Sequence, residues 1–336
     1  MLSFIIRKGV LMYDILKTVN GPADVKKLNA EELEILAQDI REALFNRLTK
    51  IGGHCGPNFG IVETTIAMHY VFNSPKDKFV FDVSHQSYPH KILTGRKNGY
   101  IKDDCFKEDA GYTNPEESEH DFFNVGHTST SISLACGLAK ARDLKGGKEN
   151  IIALIGDGSL TGGEALEALD FIPAEQKSNF IVIVNDNQQF ISEGHCGIYY
   201  HLAELRKSKG TAANNFFKNL GWDYIYEENG NDIQTMIKVL KKVKDINHPV
   251  VVHINTQKGK GFKFAEENRE LWHWCMPFDR ESGKWKISFP TESYTGLTAG
   301  YIMDKAAKDK DFVVITPAMA MTGGLSPDMR EKLGNQ

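Results

Sequence analysis

Three short apolar runs in the middle of the chain each close on a polar turn. Ile151–Ile155 leads into Gly156-Asp157-Gly158, Phe180–Val184 into Asn185-Asp186-Asn187, and Val250–Thr256 into Lys258-Gly259-Lys260-Gly261-Phe262. Continuous apolar runs of this length read as buried strands of a parallel sheet. Between the first two, Ser159–Phe171 is rich in Leu, Ala and Glu and predicts a helix. Upstream, Asn29-x-x-Glu32 has the form of a capping box, and Leu33, Leu36, Ile40, Leu44 and Leu48 then mark one apolar face through Lys50. A glycine-rich segment around His54 ends that helix, and another is predicted over Val62–Phe72. Lys78–Val83 reads as a strand ending at His85, and Thr128–Asp143 as a small-residue helix. Residues 188–215 are mixed and polar, and are expected to form a mobile loop with short helices.

Strands alternating with helices imply an α/β fold, a parallel sheet with helices on both faces. A polar stretch at 278–290 suggests a boundary, after which Tyr294–Lys308 reads as a helix and Phe312–Thr316 as a strand. The reading is therefore an extension over 1–11, a main domain over 12–285 and a second domain, only begun, over 286–336. The apolar start of the extension is too short to span a membrane and no small-residue cleavage site follows.

Composition narrows the class. The 336 residues are 41% hydrophobic with a net charge of −4, which fits a soluble globular protein and points to no nucleic-acid or membrane partner. The five cysteines, at 55, 105, 136, 196 and 275, show no CxxC spacing, as expected of free thiols in a reducing cytoplasm.

The two triplets after the apolar runs carry the candidate chemistry. In open α/β sheets, ligands bind at the carboxyl ends of the strands. Asp157 offers an anionic oxygen and Asn187 a neutral one, while Gly156 and Gly158 would let a diphosphate approach the backbone. A helix starting near Ser159 would point free N–H groups at it. Carboxylate, amide and phosphate oxygens around one ion describe a Mg²⁺ site, with the Gln189 carbonyl as a third protein ligand. Either triplet alone would pass for an ordinary turn; their pairing favours the metal–diphosphate reading. A nicotinamide site fits less well, because Gly156-x-Gly158-x-x-x-Gly162 misses the dinucleotide spacing.

The pairing resembles the signature of thiamine-diphosphate enzymes. The strings GGHCGPNFG (52–60), DVSHQSYPHK (82–91), LTGR (93–96) and GHTSTSIS (126–133) stand in the order found in the 1-deoxy-D-xylulose-5-phosphate synthase family, relatives of transketolase. The resemblance runs from about Met12 to the C-terminus and implies a thiamine-diphosphate-binding fold, with thiamine diphosphate and Mg²⁺ as cofactors. It implies that His54, His127 and His273 serve catalysis, and that His85, Gly126, His127, Thr128, Gly158, Ser159, Asn187 and Phe262 contact the cofactor. His90 is a weaker candidate, since Pro89-His90 could simply shape its loop. Phe262 stands where the family usually has tyrosine, and Ser84 where it usually has glycine. The implied substrates are pyruvate and glyceraldehyde 3-phosphate, the implied assembly a homodimer. A transketolase-type subunit moving two-carbon units and a non-catalytic cofactor-binding relative are the alternatives. In the family a cofactor-activating glutamate comes from the second domain, so the chain by itself is expected not to turn over.

Overall fold

The structure, a computed structural model, describes residues 13–287 and 292–336. The expected extension over 1–11, and part of the expected boundary at 278–290, lie outside the described residues. The main body is built on a five-stranded parallel sheet. Its strands are β2 (Lys78–Phe81), β3 (Ile151–Gly156), β4 (Phe180–Asp186), β5 (Asp223–Glu227) and β6 (Pro249–Asn255), in the order β2-β3-β4-β6-β5. A separate antiparallel pair joins β1 (Gly53–His54) to β7 (Trp274–Cys275).

Side chains alternate between sheet faces with a period of two, and the buried runs feed two cores accordingly. Ile152, Leu154, Ile181, Ile183, Val250 and Val252 pack with the helices Ala30–Ile51, Val62–Val71 and Ile233–Val243. Ile151, Ala153, Ile155, Val182, Val184 and Val251 pack with Ser131–Leu144, Gly163–Glu175 and Gly197–Lys207. Helices thus cover both faces. The Asn29 capping box closes in both directions, Asn29 Oδ1 accepting from Glu32 N at 3.0 Å and Glu32 Oε2 from Asn29 N at 2.8 Å. The apolar face that follows is buried from Leu33 to Leu48.

Several elements differ from the sequence reading. The helix expected from Ser159 is broken: a 3₁₀ turn spans Gly158–Thr161 and the α-helix starts only at Gly163. The break falls where Gly162 presses on a neighbouring loop; a Cβ there would lie 2.0 Å from Ser129 Oγ. The helix expected from Thr128 starts at Ser131. β5 and the Ile233–Val243 helix are additions, β5 being a half-exposed polar edge strand rather than an apolar run. Phe312–Thr316 is not a strand, because no ladder partner lies beside it among the described residues; its Val314 N–H bonds the Gln336 carbonyl at 2.7 Å. Residues 294–336 gather a small cluster of their own around Ala299, Ala306, Ala320, Leu325 and Leu333.

Candidate functional site

Strand register sets the site. Gly156 pairs with Asn185, and Asp186 with Asn255, so the two polar triplets leave the sheet side by side at its carboxyl edge. Asp157 is buried; its Oδ1 accepts from Gly158 N at 2.9 Å and its Oδ2 from Gln189 N at 3.2 Å. The Asn187–Gln189 turn therefore lies against the Asp157 carboxyl. Burial, with the Asp186 charge beside it, pushes the Asp157 carboxyl well above its ordinary range. No ion pair reaches Asp157 among the described residues. Asn187 Oδ1 is buried without a hydrogen-bond partner. An unpaired buried amide oxygen, in a turn held against a buried carboxyl that no ion pair reaches, is a costly arrangement in the absence of a cation. These donors are hard oxygens, and they fit Mg²⁺.

A second loop closes on this edge. Ser129 N and Ser131 N donate to the two oxygens of Asp82 at 3.0 Å each, just past β2. Ser129 Oγ donates to the Ser159 carbonyl at 2.8 Å. Gly126, His127 and Thr128, just before these anchors, are exposed. Past β2 the chain turns toward His85 through Val83 and Ser84, both at positive φ (57° and 64°). A glycine would sit in that region without penalty. Ser84 compensates with two bonds, its Oγ donating to the Val125 carbonyl at 3.0 Å and accepting from Thr113 N at 3.1 Å.

The histidines converge by a different route. The β1–β7 ladder sets His54 opposite Trp274, and Cys55 N donates to the His273 carbonyl at 3.2 Å. Gly52, at φ 74°, permits this approach, since a Cβ there would meet the Cys275 carbonyl oxygen at 2.4 Å. Buried Asn58 then clamps the His85 loop onto the ladder: its Nδ2 donates to the carbonyls of His54 (2.8 Å) and His85 (2.7 Å), and its Oδ1 accepts from Tyr88 N at 2.9 Å. The ring centroids stand 5.3 Å apart for His54–His85, 5.7 Å for His54–His273 and 5.3 Å for His85–His273. Burial, reinforced by the Lys258 charge, pulls His54 down to about 4, and burial holds His85 and His273 well below the usual imidazole value. All three are neutral at pH 7. Nδ1 of both His85 and His273 is buried and unpartnered, and so open to a ligand.

The structure thus joins His54, His85 and His273, whereas His127 makes no ring contact with them among the described residues. The His127 ring is exposed, with Nδ1 2.9 Å from the Thr128 carbonyl oxygen. His90 is fully buried between His69 Nε2 (3.0 Å) and Asp121 (3.0 Å), as a structural residue would be. Phe262, expected to contact the cofactor, is 4% exposed and packs against Phe45, Phe59, Phe264, Trp272 and Phe278 in the core. Lys258 was not among the sequence candidates. It is 1% exposed, donates to the Phe190 carbonyl at 2.6 Å, and is brought down to about 7 by burial, against the pull of Asp157. The glycine-flanked Lys258-Gly259-Lys260-Gly261 string directly after β6 was the available signal.

A family model described as 1-deoxy-D-xylulose-5-phosphate synthase matches residues 16–214 and 206–256. The chain is 44% identical over 317 residues to the 1-deoxy-D-xylulose-5-phosphate synthase of Listeria monocytogenes, covering 91% of this chain and 51% of that protein. It is 39% identical over 347 residues to that of Caldanaerobacter subterraneus, covering 93% and 56%. The chain thus spans about half the length of the curated relatives it matches. Transketolase from Campylobacter jejuni superposes with a TM-score of 0.59 at 18% identity over 91% of this chain and 47% of that one. Transketolase from Leishmania mexicana does so at 0.56 and 17%, over 90% and 46%. At such identities the likeness concerns the fold alone.

Proposed function

The chain belongs to the 1-deoxy-D-xylulose-5-phosphate synthase family, and on that premise we propose that it holds the Mg²⁺ and the diphosphate end of thiamine diphosphate in a transferase of this family. The complete enzyme joins pyruvate to glyceraldehyde 3-phosphate with release of CO₂, as a homodimer in the cytoplasm. The observation that carries the reading is the unpaired Asn187 Oδ1 beside the buried Asp157 carboxyl. Asp157, Asn187 and the Gln189 carbonyl are assigned to the metal. Gly126, His127, Thr128, Gly158, Ser159, His85, Phe262 and Lys258 are assigned to the cofactor. When bound, thiamine diphosphate supplies the carbanion that takes up the keto substrate and holds the electrons released by C–C cleavage.

The chain's own share is binding, orientation and proton handling. Lys258 is poised near neutrality, and an anionic diphosphate beside it would favour its charged form. His54, His85 and His273 stay uncharged, and the unpartnered Nδ1 atoms of His85 and His273 are the ring nitrogens available to a ligand. A transketolase-type transfer has only the fold likeness behind it, and that likeness carries architecture rather than substrate. The metal assignment is tested by titrating thiamine diphosphate into wild type and Asp157→Ala with and without Mg²⁺. Loss of Mg²⁺-dependent binding in the variant is expected; equal Mg²⁺-dependent affinity would sink the assignment.

A further inference from the structure

Two buried carboxylates, Asp157 and Asp186, leave neighbouring strands at the same edge, and a single divalent ion could be drawn to either. Their surroundings differ. Asp186 Oδ2 is ion-paired with Arg206 Nη1 and lies 2.8 Å from His253 Nε2. His253 Nε2 therefore carries a proton toward the carboxylate, and its Nδ1 lies 2.7 Å from the Tyr224 hydroxyl. The other oxygen, Asp186 Oδ1, accepts from Gln188 N at 3.0 Å. Gln188 is a non-glycine residue at φ 65°, between the two assigned metal ligands Asn187 and Gln189. The next link is Gln189 N to Asp157 Oδ2 at 3.2 Å. Arg206 sits on the Gly197–Lys207 helix, away from both polar triplets in sequence.

We infer that Arg206 is a positioning residue for the metal: by pairing with Asp186 it occupies the competing carboxylate, fixes the left-handed turn at Gln188, and leaves Asp157 as the carboxylate open to the ion. The inference rests on the assignment of Asp157 and Asn187 to Mg²⁺. With Arg206 gone, the Asp186 carboxylate loses its permanent cation and keeps only the hydrogen bond of the His253 ring, so it is free to swing toward the ion. The Gln188 N–H bond then slackens and the Asn187 amide loses its aim. Residues that orient ligands without touching the metal commonly govern affinity in this way.

The test is Mn²⁺ binding in the presence of inorganic diphosphate, read as free Mn²⁺ by electron paramagnetic resonance. It compares wild type, Asp157→Ala, Arg206→Met and Arg206→Lys. We expect Arg206→Met to weaken binding by about 10- to 100-fold, and Arg206→Lys, which keeps the cation, to recover most of it at an unchanged melting temperature. If Arg206→Met does not fold, Arg206→Gln, which keeps a donor but not the charge, replaces it with the same expected direction. Binding as tight as wild type, or tighter, in the uncharged variant while Asp157→Ala loses it would overturn the inference and leave the metal assignment standing. Wild type that binds no Mn²⁺, or Asp157→Ala that binds it equally, would overturn the assignment and the inference with it.

Discussion

Asn58 shows how much of the site hangs on one amide. It touches neither triplet, yet its three hydrogen bonds tie the His54 carbonyl, the His85 carbonyl and the Tyr88 N–H into one knot. A carboxylate in its place could accept from Tyr88 N but would face two carbonyl oxygens with no donor. Truncation leaves all three partners stranded in the interior. At a net 0.5–1.5 kcal/mol per bond, with added cost for unsatisfied groups, Asn58→Ala is expected to destabilise by roughly 2–4 kcal/mol. Urea unfolding measures this, and a loss under about 1 kcal/mol would mean that the clamp is not structural. Ser84 is the complementary case at the same scale. It occupies a backbone position suited to glycine and offsets the penalty with the two bonds of its hydroxyl.

Among the elements, the shortest matter most. β1 and β7 hold two residues each, but their ladder brings His54 and His273 together from opposite ends of the main body. The ladder closes over neutral rings, and this sets a pH dependence. With the His54 value lowered in the folded state to about 4, the unfolded chain takes up a proton near pH 6.5 while the folded one does not. The contribution to stability is therefore full above about pH 6.5 and is lost as the pH falls toward 4. His85 and His273, lowered in the same direction, act with it. Melting temperatures of metal-free protein should fall between pH 7 and pH 5, and fall less in His54→Gln. An identical fall in both would refute the assignment to this cluster.

For the whole molecule, the notable feature is the surface of residues 294–336. Tyr294, Leu297, Tyr301, Val313 and Ile315 are exposed, with Ile315 at 93%. This segment is nevertheless tied to the site: Ala318 accepts from Ser192 N at 2.9 Å, and Arg330 pairs with Glu270 at 2.7 Å and Glu193 at 3.1 Å. Glu270 also accepts from the Ser192 hydroxyl at 2.6 Å, so the segment braces the loop beyond Asn187. Exposed apolar surface beside a braced site suits a covering partner.

The apolar runs determined the sheet, because a strand buried on both faces leaves little freedom in its composition. The polar residues closing those runs placed Asp157 and Asn187 at one edge, since parallel strands end on the same side. The Ala30–Ile51 helix was equally legible, through its capping box and apolar period. What the chain order could not express was proximity between distant turns. Only the folded molecule gathered His54, His85 and His273 into one imidazole cluster, drew Phe262 into the core, buried Lys258, and set Arg206 against Asp186. Each of these depends on where a loop turns and what it packs against. Local propensity acts over a few residues, whereas a two-residue ladder, a buried amide and an ion pair between separate elements are selected by the three-dimensional packing as a whole.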